Sequence, residues 1–140
     1  MKTKVTRKND IKRVWHLVDA TDQILGRMAT RIASLLIGKN KPYTVGYLDC
    51  GDYVIVTNAT KVKISGDKST QKLYSHHSGY PGGFKQISFK DQMAKDPTKV
   101  IIHAVSGMLP KNKLRADRLA RLKIFVDEKH PYEDKLKNQN

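Results

Sequence analysis

The sequence predicts one α/β domain built on a mainly parallel sheet. Short apolar runs typical of strands alternate with longer stretches in which apolar residues recur at helical spacing. One run, Tyr53–Thr57, is almost continuously apolar and β-branched, which is the pattern of a strand buried on both faces of a parallel sheet. The chain has 140 residues, enough for one domain. We place this domain at residues 14–126, after a basic N-terminal arm at 1–13 and before a C-terminal tail at 127–140.

The domain is predicted to begin with a strand that leads directly into a helix. Residues 15–20 form a short apolar run that stops at two polar residues suited to a turn. Apolar side chains then recur at helical spacing over 26–37, and Gly38 supplies the left-handed residue that often ends a helix. Arg27 and Arg31 flank the apolar stripe, so we expect both guanidinium groups to face solvent.

Further strands and helices are predicted along the rest of the domain. Ser88 is a candidate N-cap, and Pro97 suits the first position of the next helix. Leu109 and Pro110 end that helix. The predicted strands are 61–65, 72–74 and 122–126, and the predicted helices are 88–95, 97–108 and about 111–121.

The charge points to a polyanionic partner. The chain holds 27 Lys and Arg against 13 Asp and Glu, a formal net charge of +14. Such an excess repels itself unless a polyanion neutralises it, and nucleic acid is the first candidate. A membrane surface also attracts cations, but the sequence offers neither an amphipathic apolar face nor a lipid attachment signal. The single cysteine and the lack of a signal-peptide pattern favour a protein of the cytoplasm or of an organelle interior.

Enzyme and metal motifs are missing from the sequence. It contains no G-x-x-x-x-G-K-[ST], G-x-G-x-x-G or G-x-S-x-G pattern. His76 and His77 are adjacent on a predicted extended segment and point to opposite faces, so they are poorly placed to share one ion. We therefore predict no catalytic residue, no small-molecule substrate, no metal and no cofactor.

The candidate RNA-binding residues lie in the arm, on two helices and around a glycine-rich loop. Three glycines within residues 79–83 would let the backbone approach a partner closely, and Tyr80 adds a flat face for stacking. The predicted RNA-binding residues are Lys2, Lys4, Arg7, Lys8, Lys12, Arg13, Arg27, Arg31, Lys39, Lys41, Lys68, Lys72, His76, His77, Tyr80, Lys85, Lys111, Lys113, Arg115, Arg118 and Arg121.

Four stretches of the sequence, in order and in register, resemble the bacterial-type large-subunit ribosomal protein L-thirteen family. Together they span roughly residues 14–126, and their combined spacing makes the resemblance specific. They are WHLVDA (15–20) with LGRMAT (25–30), DCGDYVIV (49–56) with NA (58–59), YSHHSGYPGG (74–83), and VSGMLPKN (105–112).

The resemblance implies a three-layer α/β/α sandwich with a mostly parallel sheet of four strands. It also implies a structural, non-enzymatic protein without a cofactor that binds large-subunit ribosomal RNA, adjoins other large-subunit proteins and supports early subunit assembly. We expect it in the ribosome, cytoplasmic or organellar, and not as an obligate homo-oligomer.

After Leu114 the family usually continues Gly-Arg, whereas this chain has Arg115 and Ala116. We therefore expect Arg115 or Arg118 to make the RNA phosphate contact that the family's arginine would make.

A free-standing RNA-binding regulator of translation is the alternative reading. Such a regulator would bind messenger RNA or an acidic protein away from ribosomes. The basic surface would serve either role, because all of these partners are anionic. Co-sedimentation with the large subunit separates them.

Overall fold

The computed structural model describes residues 4–139 and shows a mixed α/β domain. Its strands and helices, in chain order, are β1 (Trp15–Asp19), α1 (Leu25–Ile37), β2 (Tyr53–Thr57), α2 (Lys68–Gln71), β3 (Leu73–His77), β4 (Phe84–Ser88), α3 (Phe89–Lys95), α4 (Pro97–Met108), α5 (Arg115–Ala120), β5 (Leu122–Ile124) and α6 (Glu133–Lys137).

The main sheet is parallel and has the strand order β1-β2-β5. Trp15 pairs with Tyr53 at one end of β1, and Val54 pairs with Leu122 across the other side of β2. The central strand β2 is buried along Val54–Thr57, as its unbroken apolar pattern predicts. The mainly parallel α/β class is therefore confirmed.

Helices α1 and α4 cover one face of the main sheet. Val18 and Val56 point from the sheet into the core, where they meet Ile32 of α1 and Ile101 and Val105 of α4. These three helical residues belong to the stripes that repeat every three or four positions, which is why both helices bury one side. The helices predicted from this spacing are confirmed.

Helix caps set the ends of several helices. Gly38 has φ +84° and ends α1. The Ser88 side chain accepts a hydrogen bond from the amide of Asp91 and begins α3, while Asp96 does the same for Thr98 at the start of α4. These ends agree with the sequence prediction.

The C-terminal segment folds back onto the other face of the sheet. The Trp15 ring stacks on Tyr53 with centroids 4.2 Å apart, and Tyr132 stacks on the same indole at 5.2 Å. Helix α6, five residues long, lies against β1. Part of the predicted tail thus contributes to the packed structure.

The structure differs from the sheet prediction in three respects. Within the described chain the main sheet has three strands, and β3 and β4 form a separate antiparallel hairpin. Residues 61–65 are not a strand, because only one bridge joins Lys63 to Ile24. The second face of the sheet carries one short helix, so a full three-layer sandwich is not observed.

The helix predicted over 111–121 is shorter than expected. It begins at Arg115, and the Asn112 side chain accepts a hydrogen bond from the amide of Leu114 at 3.1 Å. Such a side-chain bond offers the backbone an alternative to the helix. Lys111 and Lys113 therefore lie in a turn.

The predicted arm is packed against the domain from Thr6 onward. Thr6 is buried and donates a hydrogen bond to the carbonyl oxygen of Tyr43 at 2.8 Å. The Tyr43 hydroxyl in turn contacts the backbone of Lys12. Residues 6–13 thus form an attached segment, with a short 3-10 turn at Lys8–Asp10.

None of the helices within residues 4–139 has the length and apolar character needed to cross a membrane.

Candidate nucleic-acid interface

The carboxylate of Asp52 holds one group of cations inside the protein. Asp52 is only 1% exposed and forms an ion pair with Lys41, whose side chain is 9% exposed. It also lies 2.8 Å from His16 Nε2 and accepts a hydrogen bond from the amide of Val14 at 3.0 Å. Burial acts to raise the pKa of Asp52, but the hydrogen bonds from Lys41, Val14 and His16 outweigh it and lower the pKa below its usual value.

Asp49 holds a second group of cations beside the first. Arg121 forms an ion pair with Asp49 and donates a hydrogen bond to the carbonyl oxygen of Asp52 at 2.8 Å. Arg118 Nε lies 3.8 Å from the same carboxylate, and the Arg118 side chain is 3% exposed. Arg13 also lies 3.8 Å from Asp49 and donates to its carbonyl oxygen at 2.9 Å. Burial lowers the pKa of Arg121, and the charge of Asp49 opposes that shift.

Four of the predicted RNA-binding cations therefore make internal contacts. Arg118 and Arg121 are buried, Lys41 is nearly so, and Arg13 is half-exposed. We withdraw them from the predicted interface. The charged groups of Arg13, Lys41 and Arg121 are engaged by carboxylates and main-chain carbonyls. Arg118 is buried 3.8 Å from Asp49, and its Nε and Nη1 atoms have no hydrogen-bond partner among the described residues. The corrected residues are Arg13, Lys41, Arg118 and Arg121.

Gly51 explains why the acidic turn sits so close to α1. A Cβ atom on Gly51 would lie 1.7 Å from the carbonyl oxygen of Leu36, so no side chain fits there. A Cβ on Gly38 would approach the carbonyl oxygen of Cys50 to 2.7 Å. The sequence signal for this site was a glycine between two acids, directly before a buried strand.

Arg115 also has a partner within the protein. Its guanidinium group donates a hydrogen bond to the Ser106 hydroxyl while the residue stays partly exposed. Arg115 and Arg118 were the two arginines expected to replace the family's arginine. Because Arg118 is buried, we withdraw it from that role. Arg115 remains a candidate.

The structure brings three predicted cations into one cleft. Arg27, Lys68 and Lys72 line a space of about 360 Å³, with Ile64 and Met108 among its apolar walls. Arg27 and Lys68 are exposed and Lys72 is partly so. Elements distant in sequence thus present positive charge around one opening.

Arg31 lies on the exposed side of α1 with Arg27, as the helical spacing predicted. The two residues are one turn apart and line a second, shallower depression. Neither has an ion pair among the described residues. This side of α1 therefore presents two unneutralised guanidinium groups to solvent.

The β3–β4 hairpin carries the remaining predicted loop residues. His76 pairs with Lys85 and His77 pairs with Phe84, so the two histidines project to opposite faces. Tyr80 at the tip is 76% exposed. The tip residues Gly79 and Gly82 have φ values of +85° and +74°, which only glycine adopts readily.

Seven other predicted cations are exposed in scattered positions of the surface, and Lys2 lies outside the described residues. The exposed ones are Lys4, Arg7, Lys8, Lys12, Lys39, Lys111 and Lys113. Across residues 4–139, no three His, Cys, Asp or Glu side chains are grouped to hold a metal ion.

Comparison with known proteins gives a consistent family assignment. The family model described as Ribosomal protein L13 matches residues 13–131. The chain is 51% identical over 132 residues to the large ribosomal subunit protein uL13 of Roseiflexus sp. (strain RS-1), covering 94% of this chain and 90% of that protein. It is 50% identical to the protein of the same name from Clostridioides difficile (strain 630), covering 94% and 92%. The chain therefore belongs to the family of ribosomal protein L13, a structural component of the ribosome and not an enzyme.

Proposed function

We propose that this protein is a constituent of the large ribosomal subunit that binds large-subunit ribosomal RNA and supports early subunit assembly. The relatives that it matches are named large ribosomal subunit proteins. The proposed partners are that RNA and neighbouring ribosomal proteins, and the proposed place of action is the ribosome in the cytoplasm.

The observation that carries the proposal is a segment of the chain with positive charge and no acid, bounded by the exposed residues Asp67 and Asp91. From Lys68 to Lys90 the chain has four lysines and two histidines but neither Asp nor Glu. This stretch forms the hairpin and one wall of the cleft that also holds Arg27. RNA presents phosphates at regular intervals. When a surface of this kind binds RNA, the counterions of these phosphates are released, and this release favours the complex.

The internal contacts of Arg13, Lys41, Arg118 and Arg121 leave the exposed cations free to bind RNA. Asp49 and Asp52 neutralise part of the charge close to the core, and the exposed lysines and arginines elsewhere keep theirs. In the proposed mechanism, phosphate contacts set the position of the protein, and the folded shape of the RNA sets its selectivity.

Sucrose-gradient sedimentation of a cell extract tests the proposal. The protein is expected to travel with the large subunit through a wash at moderate salt. If it stays near the top of the gradient, the proposal fails and a free-standing regulator is the better account. Depletion of the protein is expected to lower the yield of large subunits and leave small subunits unaffected.

A further inference from the structure

The outer face of the β3–β4 hairpin is uncovered and carries an aromatic pair near its tip. Strand pairing places Leu73, Ser75 and His77 on the same face as Phe84 and Gln86. Every one of these side chains is exposed, with Leu73 at 53% and Phe84 at 57%. Phe84 lies beside His77 near the tip, while Leu73 is at the far end of the strand pair, so a large aromatic side chain is left in solvent next to a second ring.

The inner face of the same hairpin has a different character. Near the domain, Tyr74 packs edge-on against His103 with ring centroids 5.2 Å apart. Farther out, His76 and Lys85 form a cross-strand pair and are both exposed. Toward its tip the hairpin thus carries His76 and Lys85 on one face, the basic face, and His77 and Phe84 on the other.

The two rings on the outer face are open for stacking. His77 and Phe84 lie 6.5 Å apart with their planes tilted by 40°, so neither ring covers the other. His77 Nδ1 accepts a hydrogen bond from the amide of Gly79 at 2.9 Å. A neutral ring with this bond carries its proton on Nε2, which leaves a donor free to meet a partner.

We propose that Phe84 and His77 form a platform on which an unpaired nucleobase of the bound RNA stacks, while phosphates meet the basic face. This inference rests on the proposed RNA binding and names the part of the RNA that the hairpin recognises. A nucleotide combines a flat uncharged base with an anionic phosphate, and the hairpin offers a matching surface for each. RNA is favoured over a protein partner because one nucleotide supplies both the flat base and the anion, and the chain from Lys68 to Lys90 has four lysines and no acid.

Two single-stranded probes of equal charge test the platform. Oligouridylate of about 12 nucleotides carries bases that stack weakly on one another, and an abasic strand of the same length carries phosphates alone; about 12 nucleotides covers a typical single-strand site. The intact protein is expected to bind oligouridylate between about five and one hundred times more tightly than the abasic strand at the same salt concentration.

Phe84→Ala is expected to remove most of this preference without changing affinity for the abasic strand. Phe84→Trp is expected to keep it, because a larger aromatic ring still stacks. Leu17→Ala is the matched control, since Leu17 is about as exposed but lies on the main sheet. Circular dichroism monitors folding, and His77→Ala provides a second variant in case Phe84→Ala unfolds.

Equal affinity of the intact protein for both strands would overturn the platform, as would a Phe84→Ala variant that retains the preference. Loss of a neighbouring protein from subunits carrying Phe84→Ala, with RNA affinities unchanged, would assign the face to a protein instead. Binding of the intact protein to large-subunit ribosomal RNA is measured in parallel. If that binding persists while the platform fails, the proposed function stands, and if it is missing, the proposed function itself fails.

Discussion

The guanidinium group of Arg121 donates a hydrogen bond to the main-chain carbonyl oxygen of Asp52 at 2.8 Å, joining two residues 69 positions apart. The same group pairs with Asp49, so β5 and the turn before β2 are held together by one side chain. The charge of Arg121 therefore stabilises the folded protein through internal contacts, whereas the sequence had predicted that it binds RNA.

Arg121→Ala is expected to lower the free energy of unfolding by about 3 kcal/mol, because it removes the cation nearest to Asp49 and leaves the buried carbonyl oxygen of Asp52 without its donor. Urea denaturation measures the change. Arg31→Ala is the matched control, since Arg31 is exposed and its loss is expected to cost less than about 0.5 kcal/mol. A loss at Arg121 no larger than that at Arg31 would show that the internal contact is unimportant.

Gly51→Ala is expected to prevent the native turn from forming, because the new Cβ would lie 1.7 Å from the Leu36 carbonyl oxygen. Gly107→Ala is the control: it lies in α4 with nothing within 4 Å, and alanine there is expected to stabilise the helix by about 0.5–1 kcal/mol. Thermal unfolding monitored by circular dichroism separates the two. Equal melting temperatures would contradict the close approach.

Acid is expected to remove the stabilisation that Asp52 provides. Its pKa is lower in the folded protein than its usual value, so its contribution is complete above about pH 4, near the unfolded pKa, and disappears as pH falls through the folded pKa. The difference in free energy of unfolding between the protein and Asp52→Asn is therefore expected to be largest near pH 7 and to shrink under acid. A difference that does not vary with pH would contradict this linkage.

Tyr132→Ala is expected to lower the free energy of unfolding by about 1 kcal/mol and to alter the fluorescence of Trp15, the one tryptophan in the sequence. Tyr47→Ala is a suitable control, because Tyr47 is 66% exposed. Unchanged tryptophan emission in Tyr132→Ala would mean that the C-terminal segment does not cover the indole.

The elements with strong apolar periodicity were predicted correctly. Helix α1 and strand β2 follow from spacing alone, since each buries a face whose pattern is visible in the sequence. The hairpin was missed in part because β4 has no alternation of buried and exposed residues. Its two strands pair with each other and leave one face in solvent. Their sequences therefore lack the alternation of apolar and polar residues that predicts a half-buried strand.

The direction in which a cation points was harder to predict. Arg27 and Arg31 were placed correctly because their helix has a clear apolar stripe. Arg118 and Arg121 were placed wrongly because their positions depend on Asp49 and Asp52, which are about 70 residues away and meet them only in the folded chain. Charge composition indicates that a protein carries excess cations, but tertiary contacts decide which of them remain exposed.

The salt dependence of binding to large-subunit ribosomal RNA tests the central claim, that exposed cations bind RNA phosphates. If six to ten of them do so, affinity is expected to fall by about 10³–10⁵ between 50 and 200 mM salt. Arg27→Ala with Arg31→Ala is expected to make this fall less steep with an unchanged circular dichroism spectrum, whereas Leu17→Ala, which removes an exposed side chain but no cation, is expected to leave it unaltered. An affinity that stays constant across this range would contradict the account.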